Sequence, residues 1–196
     1  KILFMTINSV QASPPTSINI FSDVSEYGRL YISGPDALDL LNRLTTNDLS
    51  NFTNTSSVPT VLTNGDAKVI DYLLLAGDGN EGIWCITSKN RSTIVAQWLD
   101  LYTFGEDIVI EDRTENTAQL IIVNSIDNGF LSLENAGFTV PAGQKSSTAN
   151  PFNSHVMSAS FGQYVSLYVL IPNISDLAQV KSILNSIQLK EIESDQ

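Results

Sequence analysis

Residues Tyr27 to Asp48 read YGRLYISGPDALDLLNRLTTND and decide the fold of the chain. Leu30 and Ile32 alternate with Arg29, Tyr31 and Ser33, the period of a strand that is buried on one face. Gly34 permits a tight turn, and Pro35 suits the first position of a helix. Apolar residues then recur at helical spacing, at Ala37, Leu40, Leu41 and Leu44. The stretch therefore predicts a strand followed at once by a helix.

Periodic segments on either side of this stretch predict an α+β fold. A short strand at Ile18 to Phe21 precedes it, and Asn64-Gly65 is a strong hairpin signal after it. Further strands are predicted at Val61–Leu62, Val69–Leu75, Ile83–Thr87, Ile108–Ile110, Ala118–Val123, Phe130–Leu133, Phe138–Val140 and Val165–Ile171. Helices are predicted after caps at Ser88–Asn90 and Ser175, and the tail from Lys190 to Gln196 is polar. We expect residues 1–115 to form a ferredoxin-like βαββαβ unit with an N-terminal arm, and residues 116–196 a second, small sheet-and-helix unit.

Composition narrows the classes of partner. The 196 residues carry a formal charge of −11, which argues against nucleic acid or an anionic membrane surface as the main partner. The apolar run Ile2 to Ile7 is shorter than a signal-peptide core or a membrane span, so the prediction is a cytoplasmic protein. Cys85 lies in an apolar run typical of a buried thiol, and His155 has no neighbours at ligand spacing, so no metal site is predicted.

One carboxylate and two aromatic residues are candidates for ligand contact. Asp71 interrupts the apolar strand Val69 to Leu75, so it either faces outward or lines a ligand cavity. Tyr72 and Trp84 lie on neighbouring predicted strands and either stack on a planar ligand or pack in the core. The residues alone leave both alternatives open.

Two segments resemble a known family. GRLYISGPDALDLLNRLTTNDLS, from Gly28 to Ser50, resembles the opening of the aminomethyltransferases, which include the glycine-cleavage T-protein and the YgfZ-like folate-binding proteins. GDAKVIDYLLL, from Gly65 to Leu75, is similar to the strand that leads to the folate pocket of that family. The resemblance implies tetrahydrofolate or a one-carbon derivative as the cofactor. It implies as binding residues Asp71, Tyr72, Trp84, Ser88 and Asn47.

The sequence differs from the T-protein pattern in three respects. T-proteins carry an expected catalytic aspartate seven residues after an asparagine, but the corresponding segment, Ser88 to Ala96, contains no acid. The tyrosine that ends the family's folate strand falls on Ala76. Family members are also about twice as long, so we expect a protein partner or a C-terminal domain beyond these residues. The departures favour the YgfZ-like branch and predict no catalytic residue.

Three hypotheses about function follow. The first is a folate-binding module of the YgfZ-like branch that supports iron–sulfur or tRNA-modification chemistry and is not itself an enzyme. The second is an aminomethyltransferase of the glycine-cleavage type. The third is a non-catalytic interaction domain whose folate pocket has decayed.

Overall fold

The computed structural model describes residues 19–124, 130–161 and 164–193. These residues form two β-sheets and four α-helices, which confirms the α+β class. The strands are β1 Asn19–Asp23, β2 Tyr27–Ser33, β3 Ser57–Thr63, β4 Val69–Gly77, β5 Ile83–Lys89, β6 Val109–Asp112, β7 Ala118–Asn124, β8 Ser146–Ser147, β9 His155–Phe161, β10 Tyr164–Ile171 and β11 Lys190–Ile192. The helices are α1 Ala37–Leu44, α2 Ser92–Asp100, α3 Leu131–Asn135 and α4 Leu177–Ser186.

The first sheet is antiparallel and has the strand order β3-β4-β5-β2-β6. Helices α1 and α2 cover one face, because Leu40 and Leu41 of α1 and Leu99 of α2 pack on apolar strand residues such as Leu30 and Leu73. The expected βαββαβ order is present with one strand more, since β3, β4 and β5 form a three-stranded meander between the two helices. Such one-sided covering is typical of antiparallel sheets.

The turn between β2 and α1 depends on a glycine. Gly34 has φ of +112°, and a Cβ there would lie 2.1 Å from the carbonyl oxygen of Asp107. The chain can therefore turn into α1 while the loop before β6 passes against it. The carboxylate of Asp36 accepts the N–H of Asp107 at 2.8 Å and fixes the same approach. The strand–turn–helix unit predicted from the sequence is thus present, with the helix beginning at Ala37.

The second sheet has the order β11-β1-β7-β10-β9-β8. Its outer face is covered by α4, through Val180 and Leu184, and by Leu133 of α3. Strand β1 pairs antiparallel with β7 and parallel with β11, so a strand from the start of the described chain belongs to the second sheet. The division of the chain at residues 115 and 116 stays a prediction. The first sheet ends before it, at Asp112, but β1 also lies before it and belongs to the second sheet.

The two sheets pack face to face. Leu74, Ala76, Trp84 and Ile86 of the first sheet contact a group of second-sheet residues, Met157, Ala159 and Leu170. We call the space between these residues the inter-sheet layer. The layers therefore run helix, sheet, sheet, helix, and both sheets have two covered faces.

Arg29 joins the two sheets at one edge of this layer. Its side chain is fully buried, and its guanidinium donates to the backbone carbonyls of Ser25, Tyr27, Thr114 and Thr117 and to the Thr117 hydroxyl. Burial lowers the pKa of Arg29 to about 10, so the group is still charged at neutral pH. The guanidinium therefore fixes β2 against the turn that leads into β7.

Two predicted strands of the second unit are wrong. In the segment Phe130–Leu133, the residues from Leu131 onwards belong to α3. This helix ends before Gly137, whose φ is +91°. Residues 138–140 form no strand, because the N–H of Thr139 donates to the Asn150 side chain at 2.7 Å instead of to a neighbouring strand.

Three features of the C-terminal part differ from the sequence expectation or extend it. The strand predicted at Val165–Ile171 is confirmed within β10, whereas its partner β9 was missed. The side chain of Asn173, not Ser175, provides the cap: it accepts the Ser175 N–H in a 3₁₀ turn that precedes α4. The tail predicted as merely polar contributes β11.

In the described ranges no helix is long and apolar enough to span a membrane. The predicted N-terminal arm lies outside those ranges.

Candidate functional site

Asp71 lies on the helix-covered face of the first sheet. It is directly opposite Leu62 of β3 and shares the face of Leu73 and Leu75. Only 5% of Asp71 is exposed, so the outward-facing alternative is wrong. The outward positions at this end of β4 are occupied by Val69 and Tyr72. An acidic residue therefore lies within a mainly apolar layer.

The partner of Asp71 is the backbone of Ser88. Oδ2 of Asp71 accepts the Ser88 N–H at 3.0 Å, at the end of β5 where the chain leaves the sheet towards α2. The guanidinium of Arg91 donates to the Ile70 carbonyl on the same side of the junction. Burial, and secondarily the charge of Asp71, raise the pKa of the Cys85 thiol, so this cysteine stays protonated. The Asp71 carboxylate thus holds the β5–α2 junction against β4.

Asn47 is an exposed residue on the same side of the sheet. Its N–H donates to the hydroxyl of Thr60 at 3.2 Å, and Thr60 lies directly opposite Leu73. The loop after α1 runs along β3, because the Thr46 N–H also donates to the Val61 carbonyl. The loop that carries Asn47 thus lies on the helix-covered side of the sheet, as Asp71 does, and we call Asp71, Ser88 and Asn47 the helix-side group.

Trp84 and Tyr72 lie on the opposite face. Trp84 is directly opposite Ala76 in the inter-sheet layer and is 4% exposed. Its ring meets Tyr31 edge-on, with centroids 5.1 Å apart, and His155 with centroids 5.9 Å apart. Burial, and then the charge of Tyr168, raise the pKa of Tyr72 to about 12. A ligand lying on one face of the sheet does not contact both groups, and the binding role of all five residues stays a prediction.

The segment Ser88 to Ala96, which contains no acid, and Ala76 both contribute residues to the core. Within that segment, Val95 is fully buried with Leu99 under α2. Ala76 is equally buried, and Trp84 fills the space beside it. An acid at position 95 would therefore require a rearrangement of this core, because an unpaired buried carboxylate is costly.

Three cavities lie elsewhere on the surface. Two adjoin at the end of β2, with volumes of about 370 and 670 Å³, and share lining from Gly34, Asn54, Asn80, Glu81 and Gly82. The third, of about 520 Å³, lies at the start of α2 and contains the acidic residues Glu26, Asp112 and Glu115. None of these three cavities is lined by the five predicted residues.

The acidic cavity was not visible in the sequence. Its carboxylates come from two stretches of the chain, Glu26 just before β2 and Asp112 with Glu115 at and just after the end of β6, and these stretches meet because β2 pairs with β6. Burial alone would raise the pKa of Asp112, but hydrogen bonds from Thr114 and Ser92 hold it below its usual value. In the described part of the chain, no cluster of three or more His, Cys, Asp or Glu residues is placed to hold a metal ion.

Comparisons with known proteins agree on one family. Residues 16–123 match the sequence model described as the GCVT N-terminal domain. The aminomethyltransferases of Bacillus pumilus and Bacillus subtilis are each 30% identical to this chain over 122 residues, which is 62% of this chain and 33% of each relative. The chain thus spans about a third of the length of these curated relatives.

Solved structures share the fold. Glycine cleavage system aminomethyltransferase T from Bartonella henselae superposes with a TM-score of 0.75 and 14% identity, over 89% of this chain and 48% of that one. A chain of the heterotetrameric sarcosine oxidase from Corynebacterium sp. U-96 gives a TM-score of 0.57 and 14% identity, over 85% of this chain and 82% of that one. At this identity the likeness concerns the fold alone.

Proposed function

Because the chain belongs to the family of the GCVT N-terminal domain, we propose that it is the folate-binding part of a protein of the aminomethyltransferase type. The match of that family's sequence model over residues 16–123 is the observation behind this function. Its ligand is tetrahydrofolate or a one-carbon derivative, and the transferred unit is an aminomethyl group. The curated relatives named aminomethyltransferase give this function broader support than the YgfZ-like alternative.

The helix-side group supplies the chemistry for folate. The pterin ring presents adjacent N–H donors, and a carboxylate with two acceptor oxygens is suited to accept them. Asp71 is held in place by its bond to the Ser88 N–H, so its carboxylate is oriented before any ligand arrives. Asn47 on the neighbouring loop adds an exposed amide on the same side of the sheet.

Titration with 5-formyltetrahydrofolate tests the ligand and the site. We expect saturable binding, followed by tryptophan fluorescence or calorimetry, and Asp71→Ala should weaken it by about 1–3 kcal/mol. Asp66→Ala, which removes an exposed carboxylate from the β3–β4 turn, is the matched control and should leave the affinity unchanged. Circular dichroism of both variants separates loss of binding from loss of fold. An unchanged affinity in Asp71→Ala would remove this residue from the site, and no folate binding by the wild type would overturn the function.

The non-transferase alternative is favoured by the absence of an acid from the segment Ser88 to Ala96. A positioned general acid or base contributes about 10²–10⁴ in rate, and no acid lies between Ser88 and Gln97 to supply it. In this alternative the protein binds folate in support of iron–sulfur or tRNA-modification chemistry and does not transfer the one-carbon unit.

Turnover separates the two functions. The assay measures ammonia and methylenetetrahydrofolate released from an aminomethyl-lipoyl carrier protein. Turnover that is lost in Asp71→Asn supports the transferase and assigns the acid to Asp71. Folate binding without turnover supports the YgfZ-like alternative. Absence of both leaves the interaction domain.

A further inference from the structure

Helix α2 exposes apolar side chains beside its exposed polar residues Thr93, Gln97 and Asp100. Its inward residues Val95 and Leu99 are fully buried, yet Ile94 is 43% exposed and Leu101, directly after the helix, is 57% exposed. The nine residues of α2 include a single charged one, Asp100. Surface helices ordinarily place several charged residues on the face that meets solvent. One side of the exposed surface of α2 is therefore apolar and carries no charged residue of the helix.

The apolar residues form a continuous stripe. Ile94, Trp98 and Leu101 follow one another at intervals of four and three residues, which places them along one side of the helix. Trp98 is half-buried and packs against Tyr102 with ring centroids 5.3 Å apart. Beyond the helix, Phe104 is 84% exposed. We call Ile94, Trp98, Leu101 and Phe104 the α2 stripe.

The loop that carries Phe104 is held in a defined position. The Phe104 N–H donates to Oε2 of Glu106 at 2.6 Å. The other oxygen of Glu106 pairs with Arg43 of α1, and Arg43 also pairs with Asp39. Phe104 is thus presented by an anchored loop, which lowers the entropic cost of using it in a contact.

Acidic residues lie at both ends of the α2 stripe. Asp100, Glu106 and Asp107 lie at the end near Phe104, where the neighbouring cation Arg43 is already paired. At the other end, Asp112 and Glu115 line the acidic cavity together with the first residues of α2. The apolar stripe is therefore flanked by negative charge in a chain whose formal charge is −11.

We propose that the α2 stripe docks an amphipathic helix of another protein whose apolar side is flanked by Lys and Arg. Ile94 to Leu101 extends about 10 Å along the helix axis, two turns for a partner helix to pack against. Charge complementarity selects the partner: basic flanks match the acidic ends, whereas a second copy of this chain would bring the same acidic ends into contact. An anionic lipid surface is disfavoured by the same charges. This surface is separate from the helix-side group, so it stands or falls independently of folate binding.

Two designed helical peptides test the surface. One combines Leu on one side with Lys on its flanks, and the other has Glu in place of every Lys. We expect the Lys peptide to bind and to change the fluorescence of Trp98, and the Glu peptide not to bind. The double variant Leu101→Ser/Phe104→Ser should weaken binding about tenfold or more. Raising salt from about 0.05 to about 0.5 M should weaken it further, because the flanking charges are exposed.

Matched controls distinguish the α2 stripe from general attraction to an acidic protein. Val69→Ser removes an exposed apolar residue of β4 outside the stripe and should leave the affinity unchanged. Trp98→Phe should abolish the fluorescence change, since Trp84 lies in the inter-sheet layer. Equal affinity of the Lys peptide for wild type and Leu101→Ser/Phe104→Ser would overturn the proposal. So would a concentration-dependent dimer in sedimentation, or binding to phosphatidylserine vesicles, that is lost in the double variant.

Discussion

The surroundings of Asp71 and the middle of the inter-sheet layer differ in whether their buried polar groups have hydrogen-bond partners. On the helix-covered face, the Asp71 carboxylate is nearly inaccessible and accepts a backbone N–H from Ser88. In the inter-sheet layer, the Trp84 indole nitrogen, His155 Nδ1 and both polar atoms of the Gln119 amide have no hydrogen-bond partner among the described residues. Gln119 belongs to this layer because it lies directly opposite Leu170.

Asp71 is thus a buried polar group that stabilises the fold, whereas the unpaired polar groups of the inter-sheet layer lower its stability. A buried hydrogen bond to a charged group contributes about 1.5–3 kcal/mol, whereas a buried polar atom without a partner carries a penalty of similar size. Apolar substitution should therefore destabilise the protein at Asp71 and stabilise it at Gln119, provided that the volume of the side chain is kept.

The largest effect should come from removing volume between the sheets. Trp84→Ala should lower the free energy of unfolding by about 3–5 kcal/mol, because the ring fills the space beside Ala76 and contacts Tyr31 and His155. Urea denaturation measures the loss. Trp84→Phe retains most of the packing and should lose much less. Equal losses in both variants would show that the indole nitrogen, not the volume, matters at this position.

Removal of the Asp71 carboxylate should have the next largest effect. Asp71→Ala leaves the Ser88 N–H without its acceptor and should cost about 1.5–3 kcal/mol in the free energy of unfolding. Asp71→Asn keeps an acceptor oxygen and should cost less. If Asp71→Ala were as stable as the wild type, the contrast between the two faces would be wrong.

Gln119 should respond in the opposite direction. Gln119→Leu replaces a fully buried amide by an apolar side chain of similar size and should raise the free energy of unfolding by about 1 kcal/mol. The midpoint and slope of urea denaturation are compared with those of the wild type. A loss of stability would mean that the Gln119 amide makes a stabilising interaction in the folded protein.

The smallest effect is a pH dependence from His155. Burial lowers the pKa of His155 below its usual value of 6.5, and the charge of Asp78 opposes this only in part. As the pH falls through about 6.5, the unfolded chain takes up a proton that the folded protein resists, so stability decreases and then levels off below the folded pKa. Melting temperatures of the wild type should therefore fall more between pH 7 and pH 5 than those of His155→Gln. Parallel profiles would show that another group determines the acid sensitivity.

Local elements were predictable from the sequence, whereas pairings between distant strands were not. The unit from β2 to α1 follows from two periodicities and a glycine, and the hairpin at Asn64-Gly65 from turn chemistry. Strand β9 was missed although its partner β10 is the next strand in the sequence. Strand β11 depends on β1, which lies at the other end of the described chain. No local pattern indicates such a partner.

The predicted site residues lie on two different faces of the first sheet for a similar reason. The order of residues suggested that Asp71 and Trp84 lie on neighbouring strands, which is correct. The register between β4 and β5 places Trp84 directly opposite Ala76. Trp84 therefore lies on the face of the sheet opposite to that of Asp71. Since a shift of one residue would exchange the faces, the composition of the strands does not determine which side chains meet.

The pairing of β1 with β7 and β11 has a consequence for the order in which the protein is made. The first sheet, β2 to β6, is continuous in sequence from residue 27 to residue 112 and can close as soon as that stretch has left the ribosome. Strand β1 is synthesised before it, but its partner β7 follows nearly a hundred residues later, roughly 5–20 s at ordinary rates of translation. The first sheet is completed near the end of that interval, because β6 ends at Asp112 and β7 begins at Ala118. The second sheet is therefore completed around the first, with β11 added last.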